Sequence, residues 1–157
     1  MTLAALLEAE AVILQMEARS ASDVIATLGD RLNQLGYVDD DFVTATLARE
    51  AQHPTGLPLG GRFNAAIPHT DAEHIRKPGV ALATLKAPVS FHNMVSASET
   101  VPVQLVIVLA VTDAKAQVEL LQQVATILQQ PKIVEDLMAA LSSEEVVKIL
   151  SRLEAMT

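Results

Sequence analysis

Cysteine is absent from the 157-residue chain, and so is tryptophan. Without cysteine there is no disulfide, no thiol nucleophile and no thiolate metal site, and a reducing compartment costs the fold nothing. Aromatic residues are scarce: three Phe and one Tyr leave little to stack on bases. Positive charge is short as well, with 11 Lys plus Arg against 19 Asp plus Glu and a formal net charge of −8. That balance argues against nucleic acid and against an anionic membrane surface, both of which need clustered cations. The most apolar stretch, Val101 to Val111, contains Pro102 and Gln104 and falls well short of the ~20 residues that cross a bilayer. It reads as a buried strand. No basic segment precedes the first apolar residues, and Glu8 and Glu10 interrupt them, so neither a signal peptide nor membrane insertion is expected. The expectation that remains is a cytoplasmic protein.

Half of the residues are apolar, and a chain of this length buries roughly 70% of its unfolded surface. One domain spanning 1–157 is therefore expected, with a core of Leu, Val, Ile, Ala and Met. Punctuation is uneven: of 13 Pro plus Gly residues, nine fall between Pro54 and Pro88. The flanks carry helical patterns, and the middle reads as loop and strand.

A short apolar turn near Leu3–Leu7 precedes a strand-length run from Ala11 to Met16. Ser20 with Asp23 resembles a capping box; Val24, Ile25, Leu28, Leu32 and Leu35 follow at helical spacing, and Gly36 suits a left-handed C-terminal cap. Asp39 to Asp41 open a second helix that ends near Glu50. Residues 52–64 read as loop, Asn64–Ile67 as a short strand stopped by Pro68, and Gly79–Leu85 and Val103–Val111 as strands, the last central because both its faces are apolar. Asp113 caps a helix to about Gln130, Pro131 starts another through Leu141, and Ser142 with Glu145 forms a further capping box. The order predicts an α/β fold: a single-domain sandwich with a mixed parallel/antiparallel sheet flanked by helices.

Glycine patterns for nucleotides and the G-x-S-x-G elbow are missing. The reactive side chains left to weigh are His53, His69, His74 and His92, all in the Pro/Gly-rich middle. His69 stands out, because Pro68 delivers it rigidly from the end of a short strand. A neutral imidazole can be a nucleophile while its other nitrogen is held by an acceptor. Two readings of His69-Thr-Asp-Ala-Glu-His74 stay open on residue chemistry: a metal site of a hydrolase using His69, Asp71 and His74, or a nucleophilic or acid–base histidine with a neighbour. The spacing of the two histidines is not that of an H-E-x-x-H helix, which weakens the metal reading.

Arg49-Glu-Ala-Gln-His-Pro-Thr-Gly56 followed by Ala65-Ala-Ile-Pro-His69 resembles the active-site region of the type 2 enzyme IIA components of the bacterial phosphoenolpyruvate-dependent sugar phosphotransferase system, the fructose/mannitol class. The resemblance runs from about Asp23 to Leu150, through Val89–His92, Leu105–Leu109, Gln117–Leu121 and Gln129–Val134. The Arg49–Gly56 segment and the Pro68-His69…His74 spacing most resemble the galactitol-specific branch. The resemblance implies a phosphocarrier. Phospho-HPr would donate to His69, a cysteine of the cognate enzyme IIB would accept, and the membrane enzyme IIC would deliver the phosphorylated sugar or polyol. It further implies that Arg49 neutralises phosphoryl charge and that His74 plays a supporting part. Thr70 would offer hydrogen bonds to the phosphoryl oxygens. Gln117 occupies the place where many members carry another active-site histidine; it can donate a hydrogen bond but carries no charge. No cofactor and no metal are expected. His53 and His92 read as ordinary loop residues, and Leu57, Leu59, Phe63 and Ile75 are candidates for an apolar docking rim. A regulatory interaction module of the same fold is the alternative to a transport component.

Overall fold

The apolar runs become the long strands of one sheet. In the computed structural model, which describes residues 2–155, β1 covers Leu7–Met16, β2 Gly56–Leu57, β3 Ala65–Ala66, β4 Gly79–His92 and β5 Thr100–Ala110. Their spatial order is β1-β4-β5-β3-β2. β1 is parallel to β4 and β3 is parallel to β5, whereas the β4–β5 and β2–β3 pairs are antiparallel. The sheet is mixed, and β5 is its middle strand, in keeping with its two apolar faces.

The helices are α1 Leu3–Leu6, α2 Ala21–Gln34, α3 Phe42–Gln52, α4 Ala114–Leu128, α5 Pro131–Ala139 and α6 Ser143–Ala155. Side chains alternate across a strand, so consecutive residues of β4 and β5 feed two cores. Val80, Leu82, Leu105, Ile107 and Leu109 pack with Leu120, Val124, Leu137, Val146 and Leu150 of α4 to α6. Ala81, Ala83, Val106, Val108 and Ala110 pack with Val24, Ile25, Leu28 and Leu32 of α2 and with Phe42 of α3. The result is the expected α/β sandwich. Two of the four aromatic rings, Phe42 and Phe91, are fully buried, and aliphatic residues supply the rest of the core.

The helix ends follow their local chemistry. Ser20 Oγ accepts from Asp23 N–H, and Asp23 answers by accepting from Arg19 N–H. At the other end of α2, Gly36 has φ +84°, with Tyr37 N–H bonded to Leu32 C=O and Gly36 N–H to Asn33 C=O. That is the Schellman arrangement. Asp113 accepts from Ala116 N–H, and Ser142 from Glu145 N–H.

Three elements differ from the sequence expectation. β1 begins at Leu7 rather than Ala11; as an edge strand it tolerates Glu8, which accepts a 2.7 Å hydrogen bond from the Tyr37 hydroxyl. β4 continues beyond Leu85, through Pro88, to His92. The pairing shifts register between Thr84 and Val89, and the exposed bulge at 86–88 accommodates a residue with no N–H to donate. The 52–64 segment contains β2, two residues that exist as strand only through antiparallel pairing with β3.

β3 and β5 run in the same direction, and the register carries past the end of β3. Leu109 N–H donates to Pro68 C=O at 3.1 Å, and His69 lies opposite Leu109 in a parallel bridge. The histidine therefore stands at the C-terminal end of the central strand, where α4 begins. At β2, a Cβ on Gly56 would lie 2.5 Å from the His92 carbonyl oxygen. Gly56→Ala is expected to destabilise the fold by about 1–3 kcal/mol, as overpacking does. Urea denaturation measures this, and an unchanged midpoint would contradict the close approach.

Candidate active site

His69 is 9% exposed. Its Nδ1 lies 2.8 Å from the carbonyl oxygen of Ile67. A carbonyl can only accept, so Nδ1 carries the proton and Nε2 keeps its lone pair whenever the ring is neutral. Burial holds the ring's pKa below the ordinary histidine value. The hydrogen bond to Ile67 opposes that effect, the Arg49 charge adds to it, and Asp71 opposes it. A neutral ring with one nitrogen committed and the other free is a nucleophile in waiting.

Arg49 comes from the last turn of α3, a favourable place for a cation. Its side chain is about one-third exposed, and Nη1 stands 3.7 Å from Asp71 Oδ1. Its Nε is buried and has no hydrogen-bond partner among the described residues. A guanidinium with a spare buried donor near a neutral imidazole suits an oxyanion that arrives from outside.

The other residues singled out by sequence are distributed around this pair. Thr70 follows His69 and is buried. Gln117 lies in the first turn of α4, immediately after the central strand, and is half-buried. His74 ends a short 3-10 turn, Ala72–His74, and is held elsewhere: Nδ1 is 3.3 Å from the Asp39 carboxylate and Nε2 is 3.4 Å from Glu73 Oε1. No hydrogen bond joins it to His69 among the described residues. The His/carboxylate group that does converge there is Asp39, Asp41 and His74, without His69 or Asp71. The ligand set His69, Asp71 and His74 is therefore not assembled.

His53 caps the end of α3, and the His92 ring bonds to Ala97 C=O in the β4–β5 hairpin. Leu57, Leu59, Phe63 and Ile75 are partly buried against the two cores, so local packing accounts for them. Among the described residues, the exposed large apolar side chains are Met94, Val95, Val118 and Leu141, and Val118 directly follows Gln117.

Sequence reasoning passed over Glu50 and Thr55, although both stand inside the quoted Arg49–Gly56 motif. Glu50 accepts from Thr55 N–H at 2.7 Å and from the Thr55 hydroxyl at 2.8 Å. Burial raises the pKa of its carboxyl, while the two bonds from Thr55 and the nearby His92 act in the opposite sense. The His74–Asp39 pair had no sequence signal, since its members are 35 positions apart.

The pattern of the family described as "Phosphoenolpyruvate-dependent sugar phosphotransferase system, EIIA 2" matches residues 5–153. The chain belongs to this family. As an EIIA component it is a phosphotransferase protein that passes phosphoryl groups between proteins. It is 36% identical over 116 residues to the galactitol-specific EIIA component of Escherichia coli K12, covering 74% of this chain and 76% of that one. The ascorbate-specific EIIA component of Shigella flexneri is 28% identical over 152 residues, 96% of this chain and 95% of its own. Among solved structures, the complex of enzyme IIAMTL and phosphorylated enzyme IIBMTL from Escherichia coli aligns with a TM-score of 0.75 at 26% identity, covering 94% of this chain and 99% of that one.

In this EIIA chain His69 should titrate below pH 6.5, the ordinary value. Because folding lowers that pKa, the neutral ring's contribution to stability is complete above about pH 6.5 and is lost as pH falls through the folded-state value. Following the His69 ring resonances by NMR from pH 8 to 4.5 measures the midpoint. A midpoint at or above 6.5 would be inconsistent with the buried ring.

Proposed function

We propose that this EIIA component takes a phosphoryl group from phospho-HPr onto His69 Nε2 and passes it to a cysteine of its cognate enzyme IIB. The observation that carries the reading is the 2.8 Å contact from His69 Nδ1 to Ile67 C=O, which leaves Nε2 as the free nucleophile. In the first step the Nε2 lone pair forms a bond to phosphorus as the donor's P–N bond breaks, and the donor imidazole leaves with the electron pair. In the second, a thiolate of enzyme IIB attacks the same phosphorus and the His69 Nε2–P bond breaks. Neither step consumes a cofactor, so the chain has only to position and neutralise.

Arg49 stabilises the added charge through its unpartnered Nε. Thr70 beside the acceptor and Gln117 at the start of α4 supply neutral hydrogen bonds to the phosphoryl oxygens. His74 supports the site from outside the reacting atoms: Asp39 N–H bonds to its carbonyl at 2.9 Å, and its ring faces the Asp39 carboxylate. The transfer is cytoplasmic, in keeping with the lack of any described helix long and apolar enough to cross a membrane. The membrane enzyme IIC acts downstream. The galactitol-specific relative favours galactitol or a related polyol as the final acceptor.

Incubation with phosphoenolpyruvate, enzyme I and HPr should give an acid-labile, alkali-stable phosphoryl group on the wild type and none on His69→Ala. Full labelling of His69→Ala would overturn the assignment. Adding candidate IIB and IIC partners with a polyol panel reads the specificity; phosphorylation with no transfer to any IIB would favour the regulatory module instead. Arg49→Gln should slow single-turnover phosphorylation roughly 100-fold, comparable to losing one donor to a developing anion. A rate within twofold of wild type would remove Arg49 from the site.

A further inference from the structure

The nucleophile is aimed by a chain of hydrogen bonds that starts at the end of α3. Glu50 receives both donors of Thr55, the backbone N–H at 2.7 Å and the hydroxyl at 2.8 Å. With its hydrogen turned to Glu50, the Thr55 oxygen presents its lone pairs to the other side, where Ile67 N–H donates to it at 3.2 Å. The carbonyl of that same Ile67 accepts the His69 ring at 2.8 Å. Every donor and acceptor in the series points one way. Thr55 is 4% exposed and Ile67 3% exposed, so water does not substitute freely for either bond.

We infer that Glu50 and Thr55 are positioning residues that set the tautomer and the aim of His69 by fixing the Ile67 backbone. The inference rests on the reading of His69 as the phosphoryl acceptor. The link is mechanical, because the Ile67 N–H and C=O belong to successive peptide units and do not share one amide. Holding the N–H orients the residue, and the carbonyl orientation follows. Pro68 then limits what the next peptide can do, since its ring locks φ. Glu50 and Arg49 are adjacent in α3, so one helix end supplies both the cation beside the histidine and the anchor that aims it. This accounts for Thr55 in the Pro54-Thr55-Gly56 segment that leads into β2: a hydroxyl there can accept and donate at once, which an isosteric valine cannot.

The test compares Thr55→Val, Thr55→Ser and Glu50→Asp with the wild type, each verified as folded by its amide NMR spectrum. Two quantities are read: the ¹⁵N shifts of the His69 ring, which report the tautomer without any partner, and the single-turnover rate of phosphorylation by phospho-HPr. Thr55→Val should shift the ring from an almost pure Nδ1–H form toward a mixture and slow transfer about 10- to 100-fold, as misplacement of a reacting group does. Thr55→Ser should restore both. Glu50→Asp withdraws the carboxylate by one methylene and should resemble Thr55→Val; it decides the matter if the valine variant does not fold. An unchanged tautomer and rate in Thr55→Val, or in Glu50→Asp where that variant must decide, would overturn the inference while leaving His69 as acceptor. Labelling of His69→Ala would overturn the acceptor assignment instead, and the ring shifts would still report whether Thr55 governs the tautomer. A protein that merely lost stability would show the wild-type tautomer and rate in its folded molecules, which also counts against the inference.

Discussion

Three residues, Ile67-Pro68-His69, have to be held rigid by parts of the chain that are remote in sequence. β3 is two residues long and cannot define a direction alone. Its direction comes from β5, a buried central strand that continues the register past β3 and takes the Pro68 carbonyl on Leu109 N–H. β5 is in turn fixed by apolar packing on both faces and by its long antiparallel pairing with β4. Hydrophobic burial in two cores is thereby converted into the placement of one imidazole. The mixed sheet matters for the same reason: parallel pairing of β3 with β5 brings the histidine and the start of α4 to one end.

The electrostatic setting has an internal tension. Burial and the Arg49 charge both disfavour protonation of His69, whereas the Ile67 carbonyl and Asp71 favour it. Burial dominates, so the ring is neutral and carries a free lone pair at neutral pH. A charged imidazolium would have no such lone pair, and a fully hydrated neutral ring would not have its protonated nitrogen chosen for it. Asp71 is exposed and meets Arg49 only at 3.7 Å, a distance at which an ion pair with a solvated partner holds weakly. Among the described residues, the guanidinium is not tied down by a buried counterion.

Much of the scaffold was legible because the signals are local. Ser20 with Asp23, Asp113, and Ser142 with Glu145 each open a helix through contacts within a few residues, and Gly36 closes one, as expected. Two-sided apolarity identified β5 for a similar reason. The misses are non-local. β2 is strand only because β3 lies beside it, and β4 passes Pro88 only because β5 tolerates a bulge there. At the site, His69 could be singled out from residue chemistry, and Arg49 from the resemblance to the family's motif. The His74–Asp39 contact could not be, because nothing in either segment refers to the other. Glu50 and Thr55 fell between these cases: visible as motif letters, but silent about which backbone amide the threonine would meet.

The Arg49 Nε has a consequence for the energy of the folded chain. A buried donor without an acceptor costs the folded state about 1–3 kcal/mol. The chain bears that desolvation on folding, so on the proposed reading a phosphoryl oxygen would meet a donor that is already dehydrated. On the proposed reading, a phosphoryl oxygen that accepted this bond would recover part of that cost, so the phosphorylated chain would resist unfolding better than the unmodified one.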